Sequence, residues 1–125
     1  MKNYLRLVCL ALVPAVSAAI LPAAAHHSAA AFDRTKPFIL KGTMVQWLWA
    51  NPHIWAKVMV PDGKGGSILF KLEGGSATGM ARYGGSAHSF KPGDAVKFLV
   101  APYRDGSNGG EFLAVWNGAG QQLKF

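Results

Sequence analysis

From Phe38 onward, apolar and polar residues alternate, and the alternation is broken by glycine, proline and aspartate. Ile54, Ala56, Val58 and Val60 interleave with His53, Trp55, Lys57 and Met59. A period of two, rich in β-branched and aromatic residues, marks a half-buried strand. The stretch before it, Ile39 to Trp49, reads as another strand, with Gly42 as a bend or bulge, and Asn51-Pro52 separates the two. Pro61 to Gly66 is a turn. Ser67 to Glu73 then forms a third strand with Ile68, Phe70 and Leu72 on one face. Ser76 to Tyr83 is the one candidate helix, with Ser76 as its cap. Lys91-Pro92-Gly93-Asp94 turns into a fourth strand, Ala95 to Ala101, whose inward residues are Val96, Phe98 and Val100. Arg104 to Gly110 is a hairpin loop, Glu111 to Asn117 a fifth strand, and Gln121 to Phe125 a short sixth strand or a frayed end. Trp47, Trp49 and Trp116 read as core residues.

Three strands, a short helix and two more strands, with a long first strand, predict a mainly β fold. The expected form is a five-stranded Greek-key barrel of the OB type over residues 38–125, and the alternative is another small β-barrel or sandwich. Closing the sheet suits so short a chain because it removes exposed edges.

The first 25 residues follow a different pattern. Lys2 and Arg6 flank a basic start, Leu7 to Val16 is apolar, and Ala23-Ala24-Ala25 offers small residues at a cut site. These features predict a secretory signal peptide. Pro14 and Pro22 interrupt the apolar run well short of the roughly 20 residues a membrane span needs. A cut after Ala25 would make His26 the first residue, while the rival cut, after Ala19, would free Ile20. Removal of residues 1–25 would take Cys9 with it, so neither a disulfide nor thiolate chemistry is expected of the remaining 100 residues. The expected location is the periplasm, as a soluble protein, and residues 26–37 form an amino-terminal arm.

Charge adds one constraint. Without Lys2 and Arg6 the chain keeps 11 basic and 6 acidic residues, a formal +5. The basic residues stand singly along the chain, with no run of them. That pattern describes a solvated surface rather than a nucleic-acid interface, and nucleic acid is not expected as a partner.

Several short motifs occur together: HHS at 26–28, FDRTKP at 32–37, NPHIW at 51–55, EGGS at 73–76, KPGD at 91–94 and RDGSNGG at 104–110. In this combination the chain resembles a family of short exported bacterial proteins known as a domain of unknown function. The resemblance implies export, one compact β domain and no established activity, and it supplies no catalytic residues. Ala29-Ala30-Ala31 departs from it, since a bulkier residue is expected there.

Two constellations carry candidate chemistry. If His26 is the first residue, its α-amine (pKa near 8) and its imidazole (pKa near 6.5) both offer lone pairs near neutrality. Amine and imidazole of one residue chelate a metal ion, His27 adds a second imidazole, and His53 is a further candidate ligand, ahead of His88 and Asp33. Such nitrogen donors favour Cu(II). The bland reading is a mobile arm whose histidines meet only solvent. The second constellation is a surface. With Ile54, Ala56 and Val58 inward, Trp55, Lys57 and Met59 point outward, as do Leu69, Lys71 and Glu73 on the third strand. Trp55, Lys57 and Lys71 lie where OB-folds hold their ligands, and aromatic faces with lysines suit anionic ring-bearing groups. The bland reading here is that the arm covers Trp55, with Phe32 placed to do so.

Enzyme chemistry is not expected: there is no Gly-x-Ser-x-Gly, no phosphate loop and no distinctive pair of acids. Glu73 near Ser76 and Asp105 near Ser107 read equally well as turns. The two function classes left are a non-catalytic barrel that binds a small ligand or another exported protein, and a copper-binding protein.

Overall fold

A computed structural model describes residues 27–123. The expected leader and His26 lie outside the described residues. The described residues open with a one-turn helix, α1 (His27–Ala31), followed by β1 (Phe38–Leu48), β2 (Trp55–Pro61), β3 (Ser67–Glu73), α2 (Ala77–Ala81), β4 (Ala95–Pro102), β5 (Gly109–Trp116) and β6 (Gln122–Leu123). No helix among the described residues is long and apolar enough to cross a membrane.

The ladder order is β3-β2-β1-β4-β5-β6, and β3 also pairs in parallel with β5. That last pairing closes the first five strands into the expected Greek-key barrel of the OB type, with β6 appended to β5. The long β1 serves two partners: its first half pairs with β4 and its second half with β2. Gly42 sits at the handover. A Cβ there would collide with the Met59 carbonyl oxygen, so glycine permits the close approach. The bulge itself falls three residues later, between Met44 and Gln46.

Closure depends on the other end of the sheet. Lys71 pairs with Gly109 and Glu73 with Glu111, and the Lys71 N–H donates to the Asn108 carbonyl at 3.2 Å. A Cβ on Gly109 would run into the Lys71 carbonyl oxygen.

The core is filled by alternate inward residues, including Met44, Val58, Leu72, Phe98 and Val100, with Phe98 edge-on to Phe112 at 5.4 Å. Ser76 caps α2 as the sequence predicts, its hydroxyl accepting the Gly79 N–H at 3.0 Å. The helix buries Met80 and Ala77 in the same cluster. Trp47 packs against this core, its ring 5.0 Å from Phe90, and its indole N–H donates to the Ser86 carbonyl at 3.0 Å. Trp49 also packs there.

Trp116 is not in the core. A bulge between Leu99 and Val100, opposite Ala114 and Phe112, leaves Leu113 unpaired and reverses the alternation beyond it. Phe112 and Val115 therefore point inward, and Trp116 stands outside opposite Lys97.

Candidate functional site

Strand β2 alternates buried Ala56 and Val58 with exposed Trp55, Lys57 and Met59. Its register on β3 places Met59 opposite Leu69, Lys57 opposite Lys71 and Trp55 opposite Glu73. On the other side, Leu48 of β1 pairs with Trp55 and Gln46 with Lys57. Trp55, Lys57 and Lys71, singled out from the sequence, thus lie together on one outer face. Around them Leu48 (47% exposed), Trp55, Met59 and Leu69 (37% each) remain open to solvent, as does Val45 in the β1 bulge. Large apolar side chains gathered on one face are unusual for a surface.

Lys57 and Lys71 face each other directly across the ladder. Like charges so placed repel, and neither takes part in the ion pairs of the described residues, which are Arg34–Glu111, His53–Glu73 and Arg104–Asp33. Two lysines thus stand opposed within an apolar surround.

Glu73, expected to point outward into solvent with Leu69 and Lys71, is only 8% exposed. It lies on the outer side of the sheet, beside Glu111 in the parallel register, and a carboxylate oxygen sits 3.2 Å from His53 Nδ1. The amino-terminal arm runs along this part of the barrel. Phe32 bridges to Tyr103, the Asp33 N–H donates to the Pro102 carbonyl, and the Arg104 N–H donates to the Ala31 carbonyl. Arg34 grips Glu111 through Nε and Nη2, each at 2.7 Å. Phe32, expected over Trp55, packs instead on Tyr103, with ring centroids 5.1 Å apart, and is 3% exposed. Burial pushes the Tyr103 hydroxyl pKa above its ordinary value, and the charges of Glu73 and Asp105 push it the same way.

Four of the quoted motifs meet in pairs. NPHIW joins EGGS: the Ile54 N–H donates to Gly75 O, the Gly74 N–H to Ile54 O, and Asn51 Oδ1 accepts from the Thr78 N–H at 3.2 Å. FDRTKP joins RDGSNGG through the Arg104–Asp33 ion pair at 4.0 Å, and the arm contacts just described fall beside the two motifs. Much of the distinctive sequence is therefore corner chemistry that holds the barrel ends.

His53 forms part of the first corner. Its Nδ1 lies 3.0 Å from the Gly74 carbonyl, which can only accept, so Nδ1 carries the proton. A histidine that donates from one ring nitrogen in this way binds metal, where it does so, through the other. Among the described residues no group of three or more His, Cys, Asp or Glu is positioned to hold a metal ion. His27 is the first residue of α1, and His88 sits in an exposed loop, its N–H donating to Ser86 Oγ.

The two serine–acid pairs resolve into local turns. Ser76 serves as the cap of α2, and Ser107 donates its hydroxyl to Asp105 Oδ1 at 2.7 Å. The fold offers no catalytic indication.

A second basic and aromatic cluster, Lys41, Lys97 and Trp116, escapes sequence reasoning. The outward parity of Lys41 and Lys97 is legible in their strands. That of Trp116 is hidden by the β5 bulge.

No curated protein and no solved structure matches this chain. A family model does match, over residues 14–112, a span that includes the arm, all of β1 to β4 and both pairs of joined motifs. The chain belongs to the family of unknown function DUF6152.

Proposed function

We propose that this protein is an exported, non-catalytic binding barrel that works in the periplasm and holds an anionic ligand or protein partner on the outer face of β2 and β3. The observation that carries this reading is the Lys57–Lys71 pair, directly opposed and without an acid in the described ion pairs. The surrounding Leu48, Trp55, Met59 and Leu69 supply apolar area, and Trp55 supplies the rigid aromatic anchor common at binding hot spots. The leader-like residues 1–25 support export.

A photo-crosslinking residue at Met59 or Leu69, in cells that export the protein, tests this. A discrete adduct, or a small molecule retained in native mass spectrometry, is expected. Either should disappear in Lys57→Glu/Lys71→Glu and in Trp55→Ala, while the same crosslinker at Tyr83 gives none. A folded double variant that keeps the adduct refutes the reading.

One observation favours a second reading, copper binding by His26, His27 and His53. His53 commits Nδ1 to the Gly74 carbonyl, so a metal would be bound through Nε2, and it leans on Glu73, the ladder neighbour of the Glu111 that anchors the arm. Cu(II) titrated into the protein beginning at His26 is expected to bind at sub-micromolar concentration. Adding one residue before His26 should abolish that binding, and His53→Ala should weaken it. A flat titration removes this reading and leaves the first intact.

A further inference from the structure

On a different face of the barrel, between the β1–β4 ladder and the β5–β6 turn, lies an open groove of about 310 Å³. Lys41, Lys97 and Trp116 line it, together with Gly42, Asn117 and Gly118. Lys41 and Lys97 are direct partners across the ladder, a second like-charged pair, and neither joins an ion pair among the described residues.

Lys97 differs from an ordinary surface lysine. Its Nζ stands 4.2 Å from the centre of the Trp116 ring. A cation–π contact of this kind holds the ammonium in place without using its N–H groups on an acceptor. Part of the side-chain ordering that binding would otherwise require has thus already taken place in the free protein. The opposite wall is equally fixed. Asn117 Oδ1 accepts from the Ala119 and Gln121 N–H groups at 3.1 and 2.9 Å, and the Asn117 N–H donates to the Gln121 carbonyl at 3.0 Å. Gly118 adds no side chain to the groove. Two ammonium groups, one of them oriented, therefore face a rigid turn across a space bordered by an indole.

We infer that this groove binds a single-ring organic anion, a carboxylate or phosphate on a body the size of a sugar acid or sugar phosphate. The anionic oxygens would take N–H donors from Lys41 and Lys97 in charge-assisted hydrogen bonds, and the ring would lie along the Trp116 edge and the turn. The volume is at the low end for small-molecule sites, which suits one ring. The site is separate from the β2–β3 face and does not depend on the reading of that face.

Backbone and indole amide NMR of the chain beginning at His26 tests the inference. Glucuronate and glucose 6-phosphate are the two anionic probes, with glucose and inorganic phosphate as controls. With at least one anionic sugar, saturable shifts are expected at Gly42, Gly118 and the Trp116 indole N–H, and the probe that binds tells carboxylate from phosphate recognition. Lys41→Gln and Lys97→Gln should each weaken binding about tenfold or more, whereas Lys57→Gln should leave it unchanged. Both lysine changes are on the surface, and the same spectra report whether each variant is folded. Equal shifts with glucose would overturn the role of the lysines. Inorganic phosphate binding as tightly as the sugar phosphate would overturn the role of the ring. Absence of shifts at these residues would overturn the site.

Discussion

Asp33 accepts hydrogen bonds from the backbone N–H and the hydroxyl of Thr35, at 3.1 and 2.6 Å, and Asp105 does the same with Ser107. These donors favour the ionised form and hold both carboxyls below their ordinary value of 3.8. A lowered folded-state pKa stabilises the fold above the ordinary carboxylate range, and that contribution is lost as pH falls through the folded-state value. Thr35→Val, which removes the hydroxyl donor to Asp33, should therefore lower the urea midpoint near neutrality and cost much less below about pH 3. Equal losses at both pH values would mean that Thr35 acts through packing alone. Both turns are legible in the sequence, since Asp-x-Thr and Asp-x-Ser bond locally. So is the outward aim of Trp55, Lys57 and Lys71, which follows from their parity with buried Ala56, Val58 and Leu72. The burial of Glu73 is not legible, because His53 and the β5 residue Glu111 are its neighbours in space and not in β3.

Among the elements, strand β3 occupies Ser67–Glu73 as the alternation predicts, and α2 begins after the serine expected to cap it. Where a strand continues beyond a bulge, the sequence misassigns its faces. A single unpaired residue at Leu113 turns the spacing between inward residues from two to three, and Phe112 and Val115 face the core while Trp116 does not. A period-two reading cannot register that insertion, because a bulge is a property of the strand and its partner together. The two rings should then respond differently to truncation. Phe112→Ala removes a buried ring packed on Phe98 and Trp47 and should cost about 3–5 kcal/mol. Trp116→Ala empties no core space and should cost less than about 2 kcal/mol by denaturant melts. Reversal of that order would put Trp116 back in the core.

At the scale of the whole molecule, one parallel contact turns a twisted sheet into a barrel. Lys71 to Glu73 meet Gly109 to Glu111, and the approach leaves no room for a Cβ on Gly109. Gly109→Ala should therefore lower stability by about 1–3 kcal/mol. It should also speed hydrogen exchange of the Lys71 amide more than that of amides in the β1–β2 ladder. Uniform acceleration across the sheet would show that closure is not the sensitive step. The same closure brings β3 beside β5, which the arm grips through Arg34 and Glu111, and Asp33 of FDRTKP meets Arg104 of RDGSNGG although some 70 residues separate them. By itself, the amino-acid sequence determined the strands, their inward residues between bulges, the capped helix and the Greek-key order, because alternation, caps and turns are local. Only the tertiary structure decided which strands close the barrel, where the bulges reverse a face and which lysines stand opposed across a ladder. Those outcomes depend on register and close approach between distant segments, and no single stretch of chain contains them.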